Sequence, residues 1–258
     1  MPMEMDMKGL REIALGLLLA AAPVSAATVN SDPLPRVEDR LCPGIVGMDT
    51  ESALTVLDRI RYNAVRLGIR LDMPETCAPN LVIWFVPDAH ASFNRLMDKE
   101  PRLFQNITYT EKRRLRADDS PALAWNVIRT RTRDGMPVTR REGQRDIPEA
   151  RAWLAHSKIY TAIREDIVST VVMFDTEAVH DATLKQLADY ISMRAFANDY
   201  SSYDHSGHGS ILTLFEANGK RPAELTEGDI NFLTSLYEGM ANIPGQVKQR
   251  EIRSKTSE

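Results

Sequence analysis

The residues best able to do chemistry fall into two groups. Arg129, Arg131 and Arg133 alternate along a stretch that reads as a β-strand, so all three guanidinium groups leave from one face. They belong to a basic segment, Lys112 to Arg145, that holds ten basic and four acidic residues. Such a row can hold an anionic surface or polymer: lipid headgroups, a phosphorylated sugar or an acidic partner protein of the envelope. The same pattern also suits a solvated sheet face whose arginines discourage edge pairing and rest on neighbouring carboxylates. No aromatic platforms interleave with these arginines, which argues against nucleic acid.

The second group is a histidine loop. Asp204-His205-Ser-Gly-His208-Gly sets two imidazoles three residues apart, within reach of a common metal. His180 and Asp175 precede the adjoining helix and could approach. A tetrahedral zinc site needs three or four ligands in fixed geometry. Only two are local here, on a glycine-flanked loop, so a surface loop is the simpler reading. The expectation is no cofactor, with zinc on His205, His208 and Asp204 as the alternative. Glu165, Asp166, Asp175 and Glu177 cluster near expected strand ends and read as turn carboxylates. The chain contains no G-x-S-x-G elbow and neither of the common glycine-rich phosphate loops.

These groups must be positioned by an exported chain. Lys8 and Arg11 precede an apolar run from Ile13 to Val24, and Val24-Ser25-Ala26 supplies a small-residue cleavage pattern. That order is a secretory signal peptide over residues 1–26, cut after Ala26. The run is about a dozen residues, against roughly 20 for a membrane span. No later segment is apolar enough to cross a bilayer, so the expected location is periplasmic or secreted. The mature part carries 30 basic and 33 acidic side chains, a balance that marks no general binder of nucleic acid or membrane. Its two cysteines, Cys42 and Cys77, predict one structural disulfide in an oxidising compartment.

Hydrophobic spacing and cap residues predict the elements. Asp49 or Thr50 caps a helix to Leu67, with Ala53, Leu57, Ile60, Ala64 and Leu67 inward and Gly68 after its end. The run 80–86 reads as a buried strand, and Asp88 caps a helix to about Asp98. A short basic helix follows Thr108. A strand from Ala122 to Arg133 turns at Asp134-Gly135 into a return arm, Met136–Arg140. A helix is expected over Pro148–Leu154, strands near Ile159–Arg164 and Ile167–Phe174, and a helix over Asp181–Phe196. The last helix opens at the capping box Thr226/Asp229 and buries Ile230, Leu233, Leu236, Tyr237 and Met240. The fold class is therefore α+β, a mixed and largely antiparallel sheet with packed helices. It forms a single domain over 27–245, followed by a flexible tail over 246–258.

The strand ending in Asp175, the apolar helix after it, Ser210-Ile211-Leu212, and Leu225-Thr226-x-x-Asp229-x-x-Phe232-Leu233-x-x-Leu236-Tyr237 together resemble the C-terminal half of zincin-like, metallopeptidase-type exported proteins. Cys42-Pro-Gly, Cys77 and Asn80-Leu-Val-Ile resemble uncharacterised exported proteobacterial proteins. The resemblance implies a cleft between a sheet edge and the Asp181–Phe196 helix. It also implies an H-E-x-x-H helix, yet the matching stretch, Lys185-Gln186-Leu187-Ala188-Asp189-Tyr190, has no histidine. The expected function is thus binding or interaction on a metal-free zincin-like scaffold. The alternatives are a metal-dependent hydrolase using His205 and His208, and an envelope-associated protein held to anionic surfaces by Arg129, Arg131 and Arg133.

Overall fold

Four strands, β1 (Pro43–Val46), β2 (Leu81–Val86), β3 (Ala122–Thr132) and β4 (Ile163–Asp175), form one sheet in the order β1-β2-β4-β3. The structure, a computed structural model, describes residues 32–138, 160–198, 209–216 and 221–256. The expected signal peptide over 1–26, the expected helix over Pro148–Leu154, and Asp204, His205 and His208 lie outside them.

β2 runs parallel to both neighbours, and β3 pairs antiparallel with β4. β2 is interior, which explains its continuous apolar sequence: Leu81, Ile83 and Phe85 face one core, while Trp84 and Val86 pack toward the other. The two strands expected near Ile159–Arg164 and Ile167–Phe174 are one continuous strand. Val127 pairs with Ser169 and Ile128 with Ile167, so Val168 is left over as a bulge, and the acidic pair Glu165-Asp166 sits within the ladder.

Among the described residues six α-helices accompany this sheet: α1 (Thr50–Arg66), α2 (Ala89–Lys99), α3 (Tyr109–Ala117), α4 (Leu184–Phe196), α5 (Glu227–Tyr237) and α6 (Gly245–Thr256). The arrangement is α+β, with a mixed sheet, as the sequence predicts. The caps follow sequence logic: Asp49, Asp88, Thr108, Thr183 and Thr226 each accept a backbone N–H of their helix's first turn. Gly68, with φ 77°, follows the end of α1 in the left-handed region.

The sheet separates two cores. On one side α1, α4 and α5 bury Ile60, Ile83, Phe174, Ile191 and Phe232. On the other, Phe93 and Phe104 meet Trp125 at centroid distances of 5.5 and 5.7 Å, with Leu115 and Met173 beside them. Each fully buried aromatic contributes about 1.5–3 kcal/mol. In α1 the buried residues are Val56, Ile60, Asn63 and Ala64, so the inward face is rotated from the expected one, and Ala53 and Leu57 are only half-buried. In α5 Phe232 takes a core position, and Met240 is exposed.

Cys42 and Cys77 are bonded, with Cα atoms 6.1 Å apart. The bond ties the entry of β1 to the loop leading into β2. In the chain-entropy account such a loop adds about 3–4 kcal/mol.

Residues 246–256, expected to fray, are instead the body of α6. Its anchor is not an apolar stripe, which is why the sequence pattern conceals it. Lys248 is buried and donates through Nζ to the carbonyls of Ser235 (3.2 Å) and Glu238 (2.9 Å) at the end of α5. A lysine there satisfies orphan carbonyls and complements the helix dipole. Ile252 is fully buried, and Gly245 donates to Asp32 at 3.1 Å, an approach so close that a Cβ would lie 2.3 Å from the Asp32 oxygen.

Candidate functional site

Among the described residues β3 is an edge strand, and a cleft of about 1320 Å³ runs along its outer side. One wall comes from residues 105–108 and α3, the other from the end of α4 and the turn at Gly135. Its lining holds four arginines, Arg114, Arg129, Arg131 and Arg194, against two carboxylates, Glu111 and Glu165.

The arginines are not equivalent. Arg131 forks onto Asp39 at 2.8 and 2.9 Å and lies 3.2 Å from Asp166, which is fully buried. Arg164 also reaches Asp166, at 3.0 Å, and lies 3.6 Å from Glu38, which Arg36 holds at 2.6 Å. Three arginines and three carboxylates thus cancel, and together they clamp the lead-in segment against β4. The Arg131 guanidinium holds the Asp39 carboxyl below the usual range. Burial pushes Asp166 upward, against the pull of Arg164 and Arg131.

Arg114 grips Glu111 through two nitrogens at 2.6 and 3.0 Å and donates at 3.2 Å to the carbonyl of Ala124. Arg194 is placed indirectly. Asn126 donates to the carbonyls of Arg194 (3.3 Å) and Ala197 (3.2 Å), fastening the end of α4 to β3, while Thr170 donates to Asn126 at 2.6 Å. Arg133 is partly exposed and lies 4.0 Å from Asp134. Arg129 is exposed, lines the cleft, and has no ion-pair or hydrogen-bond partner among the described residues.

The row of three expected on one face is thus divided. Arg131 is committed to the fold, Arg133 sits by the turn, and Arg129 presents its charge to the cleft. Sequence reasoning did not single out Arg114, Asn126 or Arg194. The available signal was Asn126 and Thr130 at alternate positions, polar residues on a face that would otherwise be apolar.

The stretch of α4 that a zincin would use for metal ligands is occupied by fold-building contacts. Gln186 closes the capping box with Thr183 and donates to the carbonyl of Pro222 at 2.7 Å. Asp189 is fully buried and accepts from Arg59 at 2.8 and 2.9 Å, Asn63 at 2.7 Å and the Leu225 N–H at 2.9 Å. Asp175 caps a turn by accepting from the Ala178 N–H at 3.2 Å, and His180 is exposed beside Asp181 at 3.0 Å. Among the described residues no three His, Cys, Asp or Glu side chains come together in a metal-binding group. No helix among them is long and apolar enough to cross a membrane. Comparison with protein-family models, with curated proteins and with solved structures found no match to this chain.

Proposed function

We propose that the chain is exported and acts as a non-catalytic binding protein, taking an anionic ligand into the cleft along β3. The observation that carries this reading is Arg129. It is an exposed guanidinium with no partner among the described residues, set in a cleft whose arginines outnumber its carboxylates. An ion-paired arginine adds little to ligand binding, because its charge is already compensated. An unpaired one attracts anions from solution and can fork onto a carboxylate or phosphate. Export is supported by the Cys42–Cys77 bond and by the charged, apolar and small-residue order of the N-terminus. The resemblance to a metal-free zincin-like scaffold agrees with a cleft between a sheet edge and the helix after β4. It adds no chemistry, because fold alone does not carry function.

The test is equilibrium binding of fluorescein-labelled octaglutamate to the mature protein, with octalysine as the control of opposite sign. The expected result is saturable binding of octaglutamate that weakens as salt rises and no binding of octalysine. Equal binding of both peptides, or of neither, contradicts an anion-selective cleft.

A further inference from the structure

The backbone of β3 narrows the ligand class. Asp175 donates its N–H to the Pro121 carbonyl at 2.9 Å, and Arg133 donates to the Ala162 carbonyl at 3.1 Å. With the observed register, odd-numbered residues of β3 therefore turn their backbone groups toward β4, and even-numbered residues turn theirs outward. The outward bonds agree. Thr132 donates to the Met136 carbonyl at 2.9 Å, and the Ala124 carbonyl accepts from Arg114 at 3.2 Å. Between these two points, the N–H and C=O groups of Asn126, Ile128 and Thr130 have no partner among the described residues. The same three residues line the cleft.

We infer that the cleft takes an extended acidic peptide segment, which adds a strand to β3 over residues 126–130 while its carboxylates reach Arg129. This deepens the proposed anion-binding role and rests on it. Three successive outward residues offer a ladder about 14 Å long, and main-chain pairing of this kind gives affinity while side chains give selectivity. The edge is finite: Arg114 closes it at Ala124 and the turn closes it at Thr132, so both ends limit where a strand can lie. The volume agrees, since about 1320 Å³ exceeds the roughly 300–1,000 Å³ that encloses a drug-sized molecule. A compact anion such as phosphate would leave the open ladder unused.

The experiment uses the mature, disulfide-bonded protein and an eight-residue peptide alternating glutamate and valine. Two further peptides carry N-methyl groups on every second backbone nitrogen, one in each frame. Strand addition predicts binding of the parent peptide and a loss of tenfold or more for one methylated frame, with the other tolerated. Inorganic tripolyphosphate should not displace the parent peptide at equal charge concentration. Amide exchange in the free protein should be at least tenfold faster at Asn126, Ile128 and Thr130 than at Trp125 and Val127. Upon peptide addition the three outward amides should slow. Equal binding of both methylated frames, or displacement by tripolyphosphate, overturns strand addition while leaving an anion-binding cleft in place. Protection of the three amides before any peptide is added also overturns it, because the edge would then be filled by another part of the chain or by a second copy. Absence of binding by both the peptide and tripolyphosphate overturns the anion-binding reading itself.

Discussion

Arg131 forks onto Asp39 with two hydrogen bonds, at 2.8 and 2.9 Å, while Arg129, two residues earlier on the same strand, has no such partner among the described residues. Strand periodicity makes the two look interchangeable, yet their surroundings assign them different work. Arg131 neutralises buried charge, and Arg129 faces solvent in a cleft.

That contrast predicts opposite phenotypes. Arg129→Ala should change stability by no more than about 0.5 kcal/mol, as for an ordinary surface substitution. Arg131→Ala should destabilise by about 1–3 kcal/mol, because it removes one of two arginines facing the buried Asp166. Urea denaturation of both variants checks this. Equal stabilities would contradict the division of roles.

Asp189 is the polar centre of the α1–α4 contact, accepting from two side chains on α1 and from the Leu225 backbone. Asp189→Ala removes the acceptor shared by Arg59, Asn63 and the buried Leu225 N–H, leaving Arg59 with Glu224 and Asn63 with Ser192, and should cost about 1–3 kcal/mol. The loss should appear in thermal and urea unfolding alike. A variant as stable as the parent would mean that the network is dispensable.

Acid sensitivity should follow Asp39 in one direction and Asp166 in the other. Asp39 has a depressed folded-state pKa, so its pairing with Arg131 stabilises fully above the ordinary aspartate value of about 3.9 and is lost as pH falls through the lower, folded value. Asp166 has a raised folded-state pKa, so its buried charge opposes folding at neutral pH and that opposition is relieved as pH falls. Asp39→Asn should therefore lower stability at neutral pH and flatten the acid limb of the stability curve. An unchanged acid limb would show that the pair does not couple to folding.

Lys248→Ala should release α6 by leaving the Ser235 and Glu238 carbonyls without their donor. The expected cost is about 1–3 kcal/mol, with amide protection lost selectively over residues 245–256. Retained protection would mean that Ile252 alone holds the helix.

Much of the fold was legible because it rests on local rules. Thr108 and Thr226 cap helices through side chains that act within three residues, and β2 shows an interior strand in its unbroken apolar run. The bulge at Val168 was hidden, since a leftover residue is defined only by its partner strand. α6 was hidden because its anchor is a lysine, a residue type that patterning assigns to solvent. The cleft was least legible of all. The alternation of Arg129, Arg131 and Arg133 is local, but which of them is free depends on Asp39, about ninety residues away in sequence.

The most direct test of the account is the affinity of labelled octaglutamate for the parent protein beside Arg129→Ala, Arg129→Lys and Arg129→Glu, measured at low and physiological salt. An anion-binding Arg129 predicts a loss of about tenfold for Ala, equivalent to about 1.4 kcal/mol. It also predicts partial retention for Lys, the largest loss for Glu, and a smaller salt dependence in every variant that loses the charge. Four affinities within a factor of two of one another would contradict the assignment of Arg129 as the anion-binding residue of the cleft.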